Sequence, residues 1–203
     1  MMRRVVLLLA LLVAALPALS AAPSTEYATL LAALKAGNTA IDFARLRLSY
    51  MDSPEYKAAQ DTSAAEKGMI ESLNKQDFPA ALQQAETVLK SDYVNIDAHF
   101  VAFVAHRELG ESEKAAFHQA VFRGLIDSIR NSGDGLSPAK AWVVINVHEE
   151  YVMLRALGYM PGEQSLLHQD GHSYDRMKVK SAKDGSEQTF YFNVDIPFAH
   201  YGF

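Results

Sequence analysis

The chain has 203 residues, of which 49% are hydrophobic and 21% charged, with a net charge of −5 and no cysteine. That length can bury a proper core without staples, and the hydrophobic share excludes a mainly disordered chain. The lack of cysteine excludes a disulfide scaffold, a thiolate zinc site, a cysteine nucleophile and a lipoprotein anchor.

Met1-Met2-Arg3-Arg4 leads into an unbroken apolar run from Val5 to Leu16, followed by Pro17 and the small residues Ala18, Ser20, Ala21 and Ala22. A positive start, a short apolar middle and a small-residue end describe a secretory signal peptide over residues 1–20, cleaved after Ser20. The apolar run would extend only about 18 Å as a helix, too short for a hydrocarbon core of about 30 Å. The expectation is an exported protein, periplasmic or secreted, with no stable membrane insertion after cleavage. Loss of Arg3 and Arg4 takes the net charge from −5 to −7. The remaining basic residues are scattered, which argues against nucleic acid and anionic lipid as partners.

Residues 21–162 read as a helical layer and residues 163–203 as a β-hairpin appendage packed on it, in one domain overall. A first helix spans Glu26 to Ala36 and stops at Gly37-Asn38; a second runs from near Thr39 through Ile41, Phe43, Leu46 and Tyr50 to Ser53-Pro54. Ser63 to Asn74 pairs with Pro79 to Lys90, and Asp97 to Leu109 pairs with Glu113 to Arg130. Gln76 to Gly110 and Ala81 to Ala115 are both offsets of 34 residues, the tetratricopeptide period, with small alanines where the second helix of each pair starts. Ala85, Gln119 and Ser72 depart from that pattern, and two pairs fall short of a free-standing solenoid, so flanking helices must cap the stack.

Ser137-Pro138 then opens a further helix through Ala139 to Leu157, stopped by Gly158. Tyr174 to Lys180 and Thr189 to Ile196 read as two strands, joined across Asp184-Gly185. The expected fold is thus mainly α, made of tetratricopeptide-like antiparallel helix pairs with a small C-terminal β-hairpin.

Candidate chemistry falls into four places. Asp97, Phe100, Val104, Arg107 and Glu108 share the helix face that lines the groove of such repeats, with Glu66, Ile70 and Asn74 one repeat earlier. An aromatic, an arginine and carboxylates suit a peptide-binding strip. His99 and His106, with His118 on the partner helix, could ligate a metal, but the repeat register makes the first two core residues with satisfied ring nitrogens. Glu149 and Glu150 are carboxylates on a largely apolar helix, candidates for acid and base, and Asp134 sits in the loop Asn131 to Gly135, which helix termination and a tight turn explain. His168, Asp170, His172 and Asp175 form a metal-capable cluster just before the hairpin. No nucleophile elbow, dinucleotide fingerprint or phosphate loop occurs, and no cofactor is implied.

Ile41-Asp42-Phe43 with Leu46-Arg47 and Tyr50, Ile96-Asp97-Ala98-His99-Phe100, Ser132-Gly133-Asp134-Gly135, Glu149-Glu150-Tyr151 with Leu157-Gly158, Tyr174-Asp175 and Tyr191-Phe192-Asn193 stand in an order that spans nearly all of the mature chain. That order resembles a family of uncharacterised exported bacterial proteins, the domain-of-unknown-function 4919 type. The resemblance implies one intact domain and carries no activity. It draws attention to Asp42, Arg47, His99, Asp134, Glu149, Glu150 and Asp175.

Two readings follow. The first is a non-enzymatic module for a peptide or protein partner of the cell envelope, suggested by the helical period and the lack of an assembled catalytic motif. The alternative is an envelope hydrolase or metal-dependent enzyme using Glu149 and Glu150, or His168 and His172.

Overall fold

The protein's architecture, from a computed structural model, is described for residues 25–201, so the export segment read in residues 1–20 lies outside the described residues. Two helices open it, α1 (Glu26–Lys35) and α2 (Phe43–Tyr50), each capped by a side chain, Thr25 on Ala28 N–H and Asp42 on Arg45 N–H. The Asp42 cap sets the start of α2 four residues later than the Thr39 expected from the apolar spacing. A single turn, α3 (Pro54–Lys57), precedes α4 (Ser63–Asn74), α5 (Phe78–Ser91), α6 (Ile96–Glu108) and α7 (Ser112–Arg130). Three-residue links at 75–77 and 109–111 fold α5 back on α4 and α7 back on α6.

The stretch from Ser137 to Leu157 is not one helix. A 3-10 turn at Pro138–Lys140 leads to a two-residue strand, β1 (Trp142–Val143), and only then does α8 (Val147–Leu157) begin, with the Asn146 side chain capping Glu149 N–H. Trp142-Val143-Val144-Ile145 is an aromatic and β-branched run, better suited to a pleated surface than to a helix interior. Gly133 holds this crossing in place: a Cβ there would lie 2.2 Å from the Lys140 carbonyl oxygen. The Trp142 indole N–H donates to the Gly133 carbonyl at 3.1 Å.

Nor is the C-terminal region a simple hairpin. It is a four-stranded mixed sheet in the order β1-β4-β3-β2, built from β1 with β2 (Tyr159–Gln169), β3 (His172–Ser181) and β4 (Glu187–Asn193). The strand β2 begins before residue 163 and joins β3 through Asp170-Gly171, both with positive φ (53° and 81°), a conformation that favours such a dipeptide. β1 runs parallel to β4, pairing Trp142 with Phe192, and a last helix, α9 (Asp195–Tyr201), follows the sheet.

The largest core joins both ends of the chain. Tyr27 and Leu34 from α1, Leu46 from α2, Leu125 and Ile129 from α7, Met153 from α8, and Met177 and Phe192 from the sheet belong to one apolar cluster. A second cluster lies within α4, α5 and α6, where Ala81, Ala85, Ala98 and Ala102 are fully buried beside Met69 and Val88. Small side chains at these positions let the helix axes approach closely. No helix among the described residues is long and apolar enough to cross a membrane.

Candidate functional site

Charge is buried where the helices meet the sheet. Residues Phe43, Leu46, Arg47 and Tyr50 share one face of α2, so Arg47 enters the core with its apolar neighbours. It is 1% exposed, and its guanidinium donates to Glu149 Oε2 at 2.7 Å, Ser128 Oγ at 3.0 Å and the Val143 carbonyl at 3.0 Å. Glu149 Oε2 also accepts Ile145 N–H at 2.9 Å, while Oε1 is buried without a partner. Burial raises the Glu149 carboxyl above the ordinary glutamate value, with the Arg47 charge opposing. The pair ties α2, α7, β1 and α8 together.

Glu150 turns to a different partner. It is fully buried, and as a carboxylate it has no donor for either oxygen. Burial, then the charge of Asp175 and a hydrogen bond available only to the protonated acid, push it up to about 9. Asp175 lies on β3 in phase with Met177 and Val179, opposite Phe192, and is 8% exposed. Its Oδ2 accepts from Gln164 Nε2 at 2.7 Å, and Gln164 Oε1 accepts from the Tyr151 hydroxyl at 2.8 Å. The two glutamates therefore do not share one site: Glu149 pairs with Arg47, Glu150 faces Asp175, and both are buried.

The open space lies beside them. A cleft of about 540 Å³ is bounded by α2, the turn around Tyr56, the start of α4, the α5–α6 link and the start of α8. Its lining includes Tyr50, Tyr56, Glu66, Asp92, Asn146 and His148. Asp92 Oδ1 accepts Val94 N–H at 3.0 Å, yet burial, with the charges of Glu149 and Glu66, pushes its carboxyl up to about 7. Glu66 Oε1 accepts the Thr62 hydroxyl at 2.8 Å.

Of the residues expected to line a groove, Glu66 also lines this cleft. Glu66, Ile70 and Asn74 follow one face of α4 away from it, and Asp97, Phe100 and Val104 follow one face of α6. Ile70 and Phe100 are 39% and 37% exposed. Arg107 pairs with its neighbour Glu108 at 2.7 Å and lies over the Phe103 ring. Asp97 is occupied: Arg155 and His148 of α8 both bind its carboxylate, at 2.7 and 2.8 Å. Burial alone would raise Asp97, but the His148 hydrogen bond and the Arg155 charge hold it below the usual aspartate value. The same bond raises His148. α8 is thereby tied to the start of α6.

The three helix histidines come together between α6 and α7. His99 Nε2 donates to the Tyr93 carbonyl at 3.0 Å, so its Nδ1 accepts from His118 Nδ1–H at 2.9 Å. Burial and the facing imidazole lower His99 to about 3, and burial, with the His106 charge, lowers His118 to about 4. His106, 4% exposed, bonds Glu111 through Nδ1. The ring nitrogens that a metal would need from His99 are committed to neighbours within the chain.

The loop candidates are separated. His168 pairs with Ser173 and Gln169 with His172 across the β2–β3 turn, so the two imidazoles project from opposite faces of the ribbon. His168 Nδ1 meets Ser173 Oγ at 3.1 Å, His172 Nδ1 meets Asp195 at 2.6 Å, and Asp170 accepts from Gln169. Asp134 accepts Leu136 N–H within its own turn and lies 3.5 Å from Lys140. Among the described residues no group of three or more histidine, aspartate or glutamate side chains is placed to hold a metal ion.

Fold and site together define a mixed protein, helical in its larger part, in which a helix-bounded cleft opens beside a sealed, charged interior. The chain belongs to the DUF4919 family, described as a domain of unknown function, whose pattern matches residues 22–201. No curated protein and no solved structure matches it.

Proposed function

We propose that the chain is an exported, non-enzymatic module that binds a peptide or protein segment of the cell envelope along the shared face of α4 and α6. The observation that carries the reading is apolar exposure: Ile70 and Phe100 stand on helix faces that run out from an open cleft, where Val147, 41% exposed, continues the apolar edge. Single exposed apolar residues mean little; here Val147 lines the cleft, and Ile70 lies one helical turn beyond Glu66, which also lines it. The back-folded pairs α4–α5 and α6–α7, offset by 34 residues, support a tetratricopeptide-like layer, in which the first helix of each pair lines the groove. Export rests on the pattern of residues 1–20.

The test is a selection of extended peptides on the mature chain, with affinities then measured by calorimetry for wild type and a folded Phe100→Ala/Arg107→Ala variant. A loss of about tenfold in the variant is expected, since buried aromatic and arginine anchors dominate such contacts. Equal affinities, or no selected binder, would retire the groove.

A further inference from the structure

We propose that the cleft beside Tyr50, Tyr56, Glu66 and Asp92 takes a cationic amine, an ammonium or guanidinium group, presented on a peptide side chain or as a free amine. The inference deepens the peptide-binding reading above and, for the peptide source, rests on it.

Charge is the first ground. No lysine or arginine lines the cleft, whereas Glu66 and Asp92 both do. The one lining imidazole, His148, is raised by its partner Asp97 and by Glu66, and its positive form is bonded to Asp97 at 2.8 Å, which leaves Asp92 without a basic partner among the lining residues.

The second ground is the direction of the hydrogen bonds. Helix starts usually offer N–H donors to an anion. Here the chain uses one of them itself at each start: Asn95 Oδ1 accepts Ala98 N–H at 2.9 Å, Asn146 Oδ1 accepts Glu149 N–H at 3.0 Å, and Asp61 Oδ1 accepts Ser63 N–H at 2.9 Å. An anion would meet carboxylates and few free donors, while a cation would meet acceptors.

The third ground is the wall. The half-buried Tyr56 ring meets the buried Tyr50 ring edge to face, 5.4 Å apart, and an aromatic ring at a cleft wall attracts a cation over its negative face. A volume of about 540 Å³ accommodates a lysine or arginine side chain with part of its backbone. Asp92 adds a signature. Its carboxyl is held up by burial and by neighbouring negative charge, so an arriving cation lowers it and expels a proton near neutral pH.

Calorimetry near pH 7 on the mature chain tests this with four probes: agmatine, an acetylated and amidated Gly-Arg-Gly peptide, its lysine counterpart, and the same peptide carrying citrulline, a neutral shape-match for arginine. At least one cationic probe should bind more tightly than the citrulline peptide by about tenfold or more. Binding should release protons, seen as a heat that depends on the buffer. Asp92→Asn should weaken cation binding about tenfold and abolish the proton release; Glu66→Gln is the second variant, and circular dichroism verifies that both are folded.

The proposal is overturned if citrulline binds as well as arginine, if both variants leave the affinity unchanged, or if no cationic probe binds up to about 10 mM. The two readings fail separately. Peptide binding that ignores charge but needs Phe100 refutes the cation site and spares the groove. Binding of agmatine without either cationic peptide supports the cation site with a free amine as its source, and counts against the groove.

Discussion

Replacing Glu150 with glutamine should make the protein more stable, and increasingly so as the pH rises. The side chain is fully buried, faces Asp175, and holds its proton up to about 9, against an ordinary glutamate value of 4.5. The folded chain therefore binds a proton that the unfolded chain releases. Stability contributed by the protonated side chain is complete below the ordinary value and is lost as pH climbs towards the folded value. Each pH unit in that window costs about 1.4 kcal/mol, so from about pH 5 to about pH 8 the loss reaches roughly 4 kcal/mol. That is a large part of a typical net stability of about 5–15 kcal/mol. Glutamine fills the same volume, stays neutral and can still donate to Asp175. Urea unfolding followed by Trp142 fluorescence, on wild type and Glu150→Gln at several pH values, measures the effect. Other titrating groups are common to both proteins, so they cancel in the difference. A stability difference that stays constant within about 0.5 kcal/mol from pH 5 to pH 8 would refute the buried-proton account. Asp175→Asn should narrow the pH range over which the wild type loses stability, because it removes a charge that raises Glu150.

Arg47→Met should destabilise the fold by about 3–5 kcal/mol, because Glu149 is left buried without its counter-charge. The double variant Arg47→Met/Glu149→Gln should recover most of that loss in the same urea assay, and failure to recover would mean that packing rather than charge holds the junction. The histidine pair gives the opposite pH dependence. Neutral imidazoles are required in the folded state, so stability present above about pH 6.5 is lost as pH falls, by about 1.4 kcal/mol per unit for each of His99 and His118. Nitrogen chemical shifts should show His99 protonated at Nε2 and His118 at Nδ1 near neutral pH; the reverse tautomers would contradict the bonding described.

Helices with strong local signals were legible in the sequence. Apolar spacing, Gly37 and Gly110, and the links at 75–77 and 109–111 locate α1 and α4 to α7 to within a residue or two. The region from Ser137 onward was harder for a definite reason. Trp142 to Ile145 is a continuous apolar run, and periodicity cannot separate a short buried strand from a helix. β2 is mostly exposed and carries a bulge between Pro161 and Gln164, so it has little alternation to read. Its turn, Asp170-Gly171, was a usable hairpin signal, and so was Asp184-Gly185.

The buried charges left a subtler sign. Arg47 is in helical phase with Phe43, Leu46 and Tyr50, Glu150 with Met153 and Leu154, and Asp175 alternates with Met177 and Val179. A charged residue in step with an apolar stripe marks burial, but pattern alone does not tell which charges pair. Asp92 carried no such mark. Its place in the cleft depends on how the α5–α6 link packs against α2 and α8, which is tertiary information.

The distance along the chain between Arg47 and Glu149, 102 residues, bears on how the molecule can be made. A chain threaded out amino end first presents α2 long before the carboxylate that neutralises it exists, and burying that guanidinium alone would be costly. The cluster of α4, α5 and α6 uses only residues between 65 and 102, so its contacts need none of the later chain, whereas the burial of Arg47 does. Only when α8 emerges, and the strands behind it, can the two ends close on one another. The finished shape thus depends on residues in the last third of the chain, and a product cut short before Glu149 would carry an arginine with no acid to meet it.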